Sequence, residues 1–292
     1  MLPEFQLLTP RSLAEAVGWL AERAPEVVPI AGGTNLVVDM RAGRRRPAVL
    51  MDVSHLPELR GIRLEDGYVV VGGGTTIAEL LESPLIAHQA PVLHQAAAWL
   101  GNPLIRNRAT LAGNLVNASP AADTAPPLLV LDAELELTSR DDRRWLSVRD
   151  FFVYVRQTQC CAHELLTAVR WPQLADPQAA AFAKLALRKC DAVAVVNAAV
   201  RLELDASRRC RLARLAVGAV APTPLRVQRA EERLLGQPIT PELIAQVSQL
   251  VAEECQPVDD IRGSAAYRRR VVAVLVRRLL VRLTGDARQG EV

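Results

Sequence analysis

Apolar and polar residues change period several times along this chain, and each change marks an element. Phe5-Gln6-Leu7-Leu8 predicts a short strand. Ser12 and Glu15 make a capping-box pair ahead of Leu13, Ala16, Val17 and Leu20, which recur at helical spacing. Residues 27–31 predict a strand running into Gly32-Gly33, and residues 48–53 another, so the first fifty residues read as an α/β unit. Residues 62–65 and 68–71 flank Asp66-Gly67, which predicts a hairpin because these two residue types tolerate the positive φ of a tight turn. Helical spacing returns at 77–81 and at 91–99, where Leu93, Ala96, Ala97 and Leu100 share a face. Residues 128–132 and 134–138 fit either strand or buried helix, Arg140-Asp141-Asp142-Arg143 a charged turn, and 165–171 a strand ended by Pro172. Residues 173–179 predict a linker. Beyond it, strands are expected at about 180–187, 192–204 and 211–219, and helices at about 227–235, 241–255 and 264–284. The last helix carries Val272, Leu275, Val276, Leu279, Leu280 and Leu283 on one stripe, with Arg268, Arg269, Arg277, Arg278 and Arg282 elsewhere. That pattern predicts core packing beneath a solvated basic face.

Composition narrows the class. The 292 residues suffice for two domains or three small ones, and 50% hydrophobic with 23% charged residues describes a folded chain. Lys+Arg 35 against Asp+Glu 32 leaves a net charge of +3, which argues against a nucleic-acid partner. No apolar run approaches the roughly 20 residues needed to cross a bilayer. The N-terminal residues lack the basic and apolar regions of a secretory signal. Five cysteines at scattered positions, with no C-x-x-C, point away from zinc ribbons, iron–sulfur clusters and redox dithiols in this chain, and towards a cytoplasmic protein with free thiols. The four histidines fall in no ligand spacing, so neither a metal site nor a catalytic base is expected.

Two segments depart from core patterning. Ala31-Gly32-Gly33-Thr34-Asn35-Leu36 follows a strand, and Thr110-Leu111-Ala112-Gly113-Asn114 lies in a polar, turn-rich stretch from Gly101 to Ala122. Small residues beside hydroxyl and amide side chains let backbone approach a ligand and aim N–H groups at phosphate oxygens. One such loop on either side of a diphosphate would neutralise a dinucleotide without lysine. Asp123 either caps a helix or accepts from a ligand hydroxyl. Gly72-Gly73-Gly74 is not a Rossmann fingerprint, because Ile77 occupies the third glycine position.

At these residues the sequence resembles the FAD-binding medium subunits of the molybdenum hydroxylases, the family of the flavin subunits or domains of xanthine dehydrogenase and aerobic carbon monoxide dehydrogenase. The resemblance is carried by residues 31–36, 105–114 and 118–123, by Glu164-Leu165-Leu166-Thr167, by Lys184 with Arg188 and Asp191, and by Tyr267-Arg268-Arg269-Arg270. It implies an α+β fold of the vanillyl-alcohol oxidase/MurB type. Two α/β FAD-binding subdomains (1–54 and 55–175) are followed by a C-terminal α+β domain (176–292). It implies non-covalent FAD, with Ala31, Gly32, Gly33, Thr34, Asn35 and Leu36 on one side of the diphosphate and Thr110, Leu111, Ala112, Gly113 and Asn114 on the other. Leu100 and Gly101 match positions near the isoalloxazine, Asp123 an acidic cofactor ligand, and Leu166 a position contacting adenine or flavin. Lys184 matches a basic residue close to the flavin ring.

The implied partners are a large subunit holding molybdopterin and a small subunit holding [2Fe–2S] clusters. Electrons would pass from the clusters to FAD and on to NAD, a quinone or oxygen. A stand-alone FAD oxidoreductase, or a scaffold of this fold that has lost FAD, are the alternatives. The family often has Asp or His-Ser at Asn35 and a second glycine at Ala112. Alanine there adds a methyl that the loop tolerates as long as φ stays negative.

Overall fold

The computed structural model of the chain describes residues 2–175 and 179–285. Its contacts divide it into two compact units with interleaved segments. One comprises residues 1–83, 102–118 and 133–172, the other residues 84–101, 119–132 and 173–292.

In the first unit, β1 (Gln6–Leu8), β2 (Val27–Ile30) and β3 (Val49–Asp52) form a parallel sheet with β3 in the middle. The helix Leu13–Arg23 covers this sheet. Ser12 caps it by accepting from the Glu15 amide, while the Glu15 carboxylate reaches back to the Arg11 amide rather than to that of Ser12. Its Leu13, Ala16, Val17 and Leu20 pack with Val27, Val49 and Met51. β4 (Ile62–Glu65) and β5 (Tyr68–Gly72) make the expected hairpin, and both turn residues have positive φ, Asp66 at 49° and Gly67 at 77°. β6 (Glu134–Thr138) and β7 (Arg143–Ser147) form a second hairpin, and β8 (Phe152–Tyr154) pairs with β9 (Gln157–Thr158). β10 (Leu165–Pro172) runs between the first two hairpins in the antiparallel order β4-β5-β10-β6-β7. Pro172 belongs to this strand as its last residue, a place where its missing N–H costs little.

In the second unit, β11 (Ala180–Ala186), β12 (Ala194–Leu204), β13 (Cys210–Gly218) and β14 (Leu225–Arg226) form an antiparallel sheet in that order. The helices Pro241–Glu254 and Ala265–Thr284 bury one core with it. Val247 and Val251 of the first helix, Val272, Val276 and Leu280 of the second, and Val196, Ala198 and Val200 of the sheet belong to one buried cluster. Residues 125–130, which overlap the stretch 128–132 that fits either state, are helical and buried, while 134–138 form a strand. The polar stretch after Gly101 is not structureless, because it contains the short helices Pro103–Arg106 and Leu111–Val116. Arg268 departs from the expected solvated basic face: it is 3% exposed, donates to the Ala219 carbonyl and pairs with Asp260. Among the described residues no helix is long and apolar enough to cross a membrane.

Candidate cofactor site

The first glycine loop begins where β2 stops. Gly33 has φ +70°, a left-handed conformation that a β-carbon disfavours, and it turns the chain from strand into the helix Leu36–Arg41. Among the described residues, the amides of Gly32, Gly33, Thr34 and Asn35 donate to no protein acceptor, and Asn35 places no side chain over them. Four neighbouring N–H groups with no carboxylate among them are a donor set suited to an anion. Gly32 is required for a different reason from the one expected. A β-carbon there would fall on the Arg108 carbonyl, so the glycine lets the two loops touch backbone to backbone.

The second loop has spent most of its donors, those of residues 111–114. Thr110 caps the helix Leu111–Val116, and its hydroxyl accepts from Gly113 at 3.1 Å while its carbonyl accepts from Asn114 at 3.0 Å. The Leu111 amide donates to the Thr75 carbonyl and the Ala112 amide to the Gly73 carbonyl, each at 3.0 Å. The two loops are therefore unlike: the first offers free amides, and the second is braced against residues 73–75. The triple glycine that meets this brace is itself closely packed by other backbone. A β-carbon on Gly72 would strike the Leu59 carbonyl, and one on Gly73 the Leu166 carbonyl. Thr76 also bridges Thr110, and the Ile77 amide donates to Ala109. Ala112 lies in a helix with negative φ, and its methyl faces Gly73. Leu166 is buried in β10, in the same unit, and its carbonyl packs on Gly73.

The other unit contains the remaining positions. Lys184 projects from β11 and donates to Asp123 Oδ2 at 2.6 Å and to the Trp99 carbonyl at 3.0 Å, which ties it to the segment that holds Leu100 and Gly101. Asn197 of β12 donates to the other Asp123 oxygen at 2.9 Å. Lys184 and Asp123 are 1% and 8% exposed along their side chains. Burial pushes the Asp123 carboxyl up, against the opposing pull of the Lys184 ammonium and the Asn197 amide. Asp123 does not cap the following helix, whose N-cap is Thr124. Arg188 donates to the Asp191 carbonyl on the surface.

Reading the sequence missed Asn197 and Gly218. The available signal was one amide inside the apolar run Ala194-Val195-Val196-Asn197-Ala198-Ala199-Val200. Histidine spacing likewise did not anticipate that Cys161, His163 and Glu164 bring their ligand atoms within 4.8 Å of one another. The Glu164 carboxylate in that group is held by Arg144 at 2.7 and 3.0 Å.

Comparison with known proteins agrees with these features. Residues 3–174 match the family described as FAD binding domain in molybdopterin dehydrogenase, and residues 180–283 match the CO dehydrogenase flavoprotein C-terminal domain. The chain is 32% identical over 286 residues to the 6-hydroxypseudooxynicotine dehydrogenase complex subunit alpha of Paenarthrobacter nicotinovorans, covering 98% of this chain and 96% of the relative. It is 31% identical over 278 residues to the carbon monoxide dehydrogenase medium chain of Hydrogenophaga pseudoflava, covering 95% and 96%. A chain of reconstituted CO dehydrogenase from Oligotropha carboxidovorans superposes with a TM-score of 0.93 at 31% identity, covering 98% of this chain and 99% of that one. With both family matches in sequence and relatives aligned nearly end to end, this chain belongs to the FAD-binding medium subunits of the molybdenum hydroxylases, the flavin subunits of xanthine dehydrogenase- and CO dehydrogenase-like oxidoreductases.

Proposed function

We propose that this chain holds FAD non-covalently and relays electrons inside a multi-subunit hydroxylase. It would take them from the [2Fe–2S] clusters of a small partner subunit and deliver them to NAD, a quinone or oxygen. A large partner would hold the molybdopterin and act on the organic substrate. The observation that carries this reading is the set of unspent amides at Gly32, Gly33, Thr34 and Asn35, beside a second loop whose amides at 111–114 are committed. The donor set fits a diphosphate: several N–H groups, no carboxylate, and no histidine or cysteine in either loop to form a covalent flavin bond. Ala31 and Leu36 complete that loop, and by the resemblance Thr110, Leu111, Ala112, Gly113 and Asn114 lie on the other side of the diphosphate. The resemblance extends the proposed contacts to Leu166 in the same unit, and to Leu100, Gly101, Asp123 and Lys184 in the other. We assign residues 1–54 and 55–175 as the two FAD-holding subdomains and 176–292 as the C-terminal domain.

Bound FAD supplies one- and two-electron chemistry; the protein supplies binding, orientation and charge. The names of the similar proteins, a medium chain and a complex subunit, support partner subunits for this one. The test is purification of the chain expressed with its neighbouring reading frames. Flavin bands in the visible spectrum, together with two co-purifying subunits containing molybdenum and iron, are the expected result. A chain that stays colourless after addition of FAD refutes the flavin reading, and a yellow monomer that oxidises substrate unaided refutes the relay.

A further inference from the structure

Three residues stand in one row across the second unit's sheet. Lys184 on β11 pairs directly with Asn197 on β12, and Asn197 pairs with Gly218 on β13. Paired residues share a face, so the Lys184 and Asn197 side chains project side by side. Each takes one oxygen of the same carboxylate: Lys184 holds Asp123 Oδ2, and Asn197 holds Oδ1. Gly218 completes the row by lacking a side chain, since a β-carbon there would overlap the Asn197 amide oxygen. The segment bearing Asp123 is fastened at the same place, because the Ala219 amide donates to the Pro120 carbonyl at 2.7 Å. Asn197 is fully buried and its Oδ1 has no hydrogen-bond partner. An unpaired buried carbonyl of this kind costs free energy, so the amide is poorly explained as packing. What it accomplishes is donation to Asp123.

We propose that Asn197, given room by Gly218, is a positioning residue that fixes the Asp123–Lys184 pair and through it sets the affinity and the redox potential of the bound flavin. The proposal rests on the reading above that places Lys184 beside the cofactor. Lys184 is the charged group acting on Asp123; Asn197, Gly218, Pro120 and the Trp99 carbonyl bring no charge. With both oxygens bonded, the ionised form of Asp123 is favoured against its burial and offsets the lysine. With Oδ1 unpaired in a buried site, the carboxyl takes up a proton more readily and leaves the Lys184 charge uncompensated. An uncompensated cation favours the reduced, more negative flavin.

The test compares wild type with Asn197→Leu, which keeps the branched shape and removes the donor, and with Gly218→Ala, which displaces the amide. Asn197→Thr serves as a third variant with a strand-compatible side chain. In the FAD-free chain, infrared difference spectra are expected to show a buried carboxyl titrating at higher pH in the variants than in wild type. In the loaded chain, FAD affinity is expected to fall about tenfold and the midpoint potential to rise. If reduced FAD is favoured tenfold more than oxidised FAD, that rise is about 30 mV for a two-electron couple. Folded variants with unchanged carboxyl titration, or with unchanged affinity and potential, overturn the proposal. A wild-type chain that takes up no FAD refutes the flavin reading and with it the effect on potential, and the FAD-free titration then decides whether Asn197 positions Asp123.

Discussion

Replacing Gly32 with alanine tests the loop geometry most directly. A β-carbon at Gly32 would lie 1.8 Å from the Arg108 carbonyl oxygen and 2.4 Å from its carbon, both main-chain atoms that cannot swing away. Ordinary contact begins near 3.4 Å, so the two loops would have to part by about 1.6 Å, an overpacking expected to cost about 1–3 kcal/mol. The movement displaces the backbone that carries the unspent amides of Gly32, Gly33, Thr34 and Asn35. FAD affinity is therefore expected to fall by about 10- to 100-fold, where each tenfold corresponds to about 1.4 kcal/mol. Gly67→Ala is the contrasting control. Gly67 has positive φ (+77°), whereas Gly32 does not, and a β-carbon at Gly67 meets nothing within 4 Å. That variant should lose about 1–2 kcal/mol of stability from backbone strain alone and bind FAD as wild type does. The assay is urea unfolding of the FAD-free chain beside titration of that chain with FAD, followed by flavin fluorescence. A Gly32→Ala chain that binds FAD within about threefold of wild type, well under 1.4 kcal/mol, would refute the claim that loop apposition builds the diphosphate site.

Three further outcomes can be checked with the same preparations. Gly18→Ala, inside the helix Leu13–Arg23 with nothing within 4 Å of the new methyl, should stabilise the chain by about 0.5–1 kcal/mol in urea unfolding. Ala112→Gly should cost about 1 kcal/mol of stability through helix propensity yet change FAD affinity less than about threefold, because the methyl faces Gly73 and the amide is already bonded. Burial pushes the Asp260 carboxyl up, but Arg268 and Arg262 outweigh it and hold the group well below its ordinary 3.8. Its folded value being lowered, its contribution is complete above that ordinary value and is lost as pH falls through the folded value. Acid unfolding of Asp260→Asn should thus differ from wild type at pH 6, with the gap closing below about pH 4.

Local periodicity determined a large share of this protein. The cap at Ser12, the Asp66-Gly67 turn and the stripe from Val272 to Leu280 each follow from interactions between near neighbours in the chain, and each forms as the sequence predicts. The loops at 31–36 and 110–114 were legible because small residues beside hydroxyl and amide groups are unusual in a core. What remained out of reach depends on partners far apart in sequence. Lys184 meets Asp123 across 61 residues and Asn197 meets it across 74. Gly32 needs its hydrogen because of Arg108, and Gly72 and Gly73 because of Leu59 and Leu166. Arg268 shares its helix with solvated arginines yet turns inward to Asp260 and Ala219. A sequence states which donors, charges and missing side chains exist; only the folded chain decides which acceptor each one meets, because burial makes a wrong or absent partner too costly to keep.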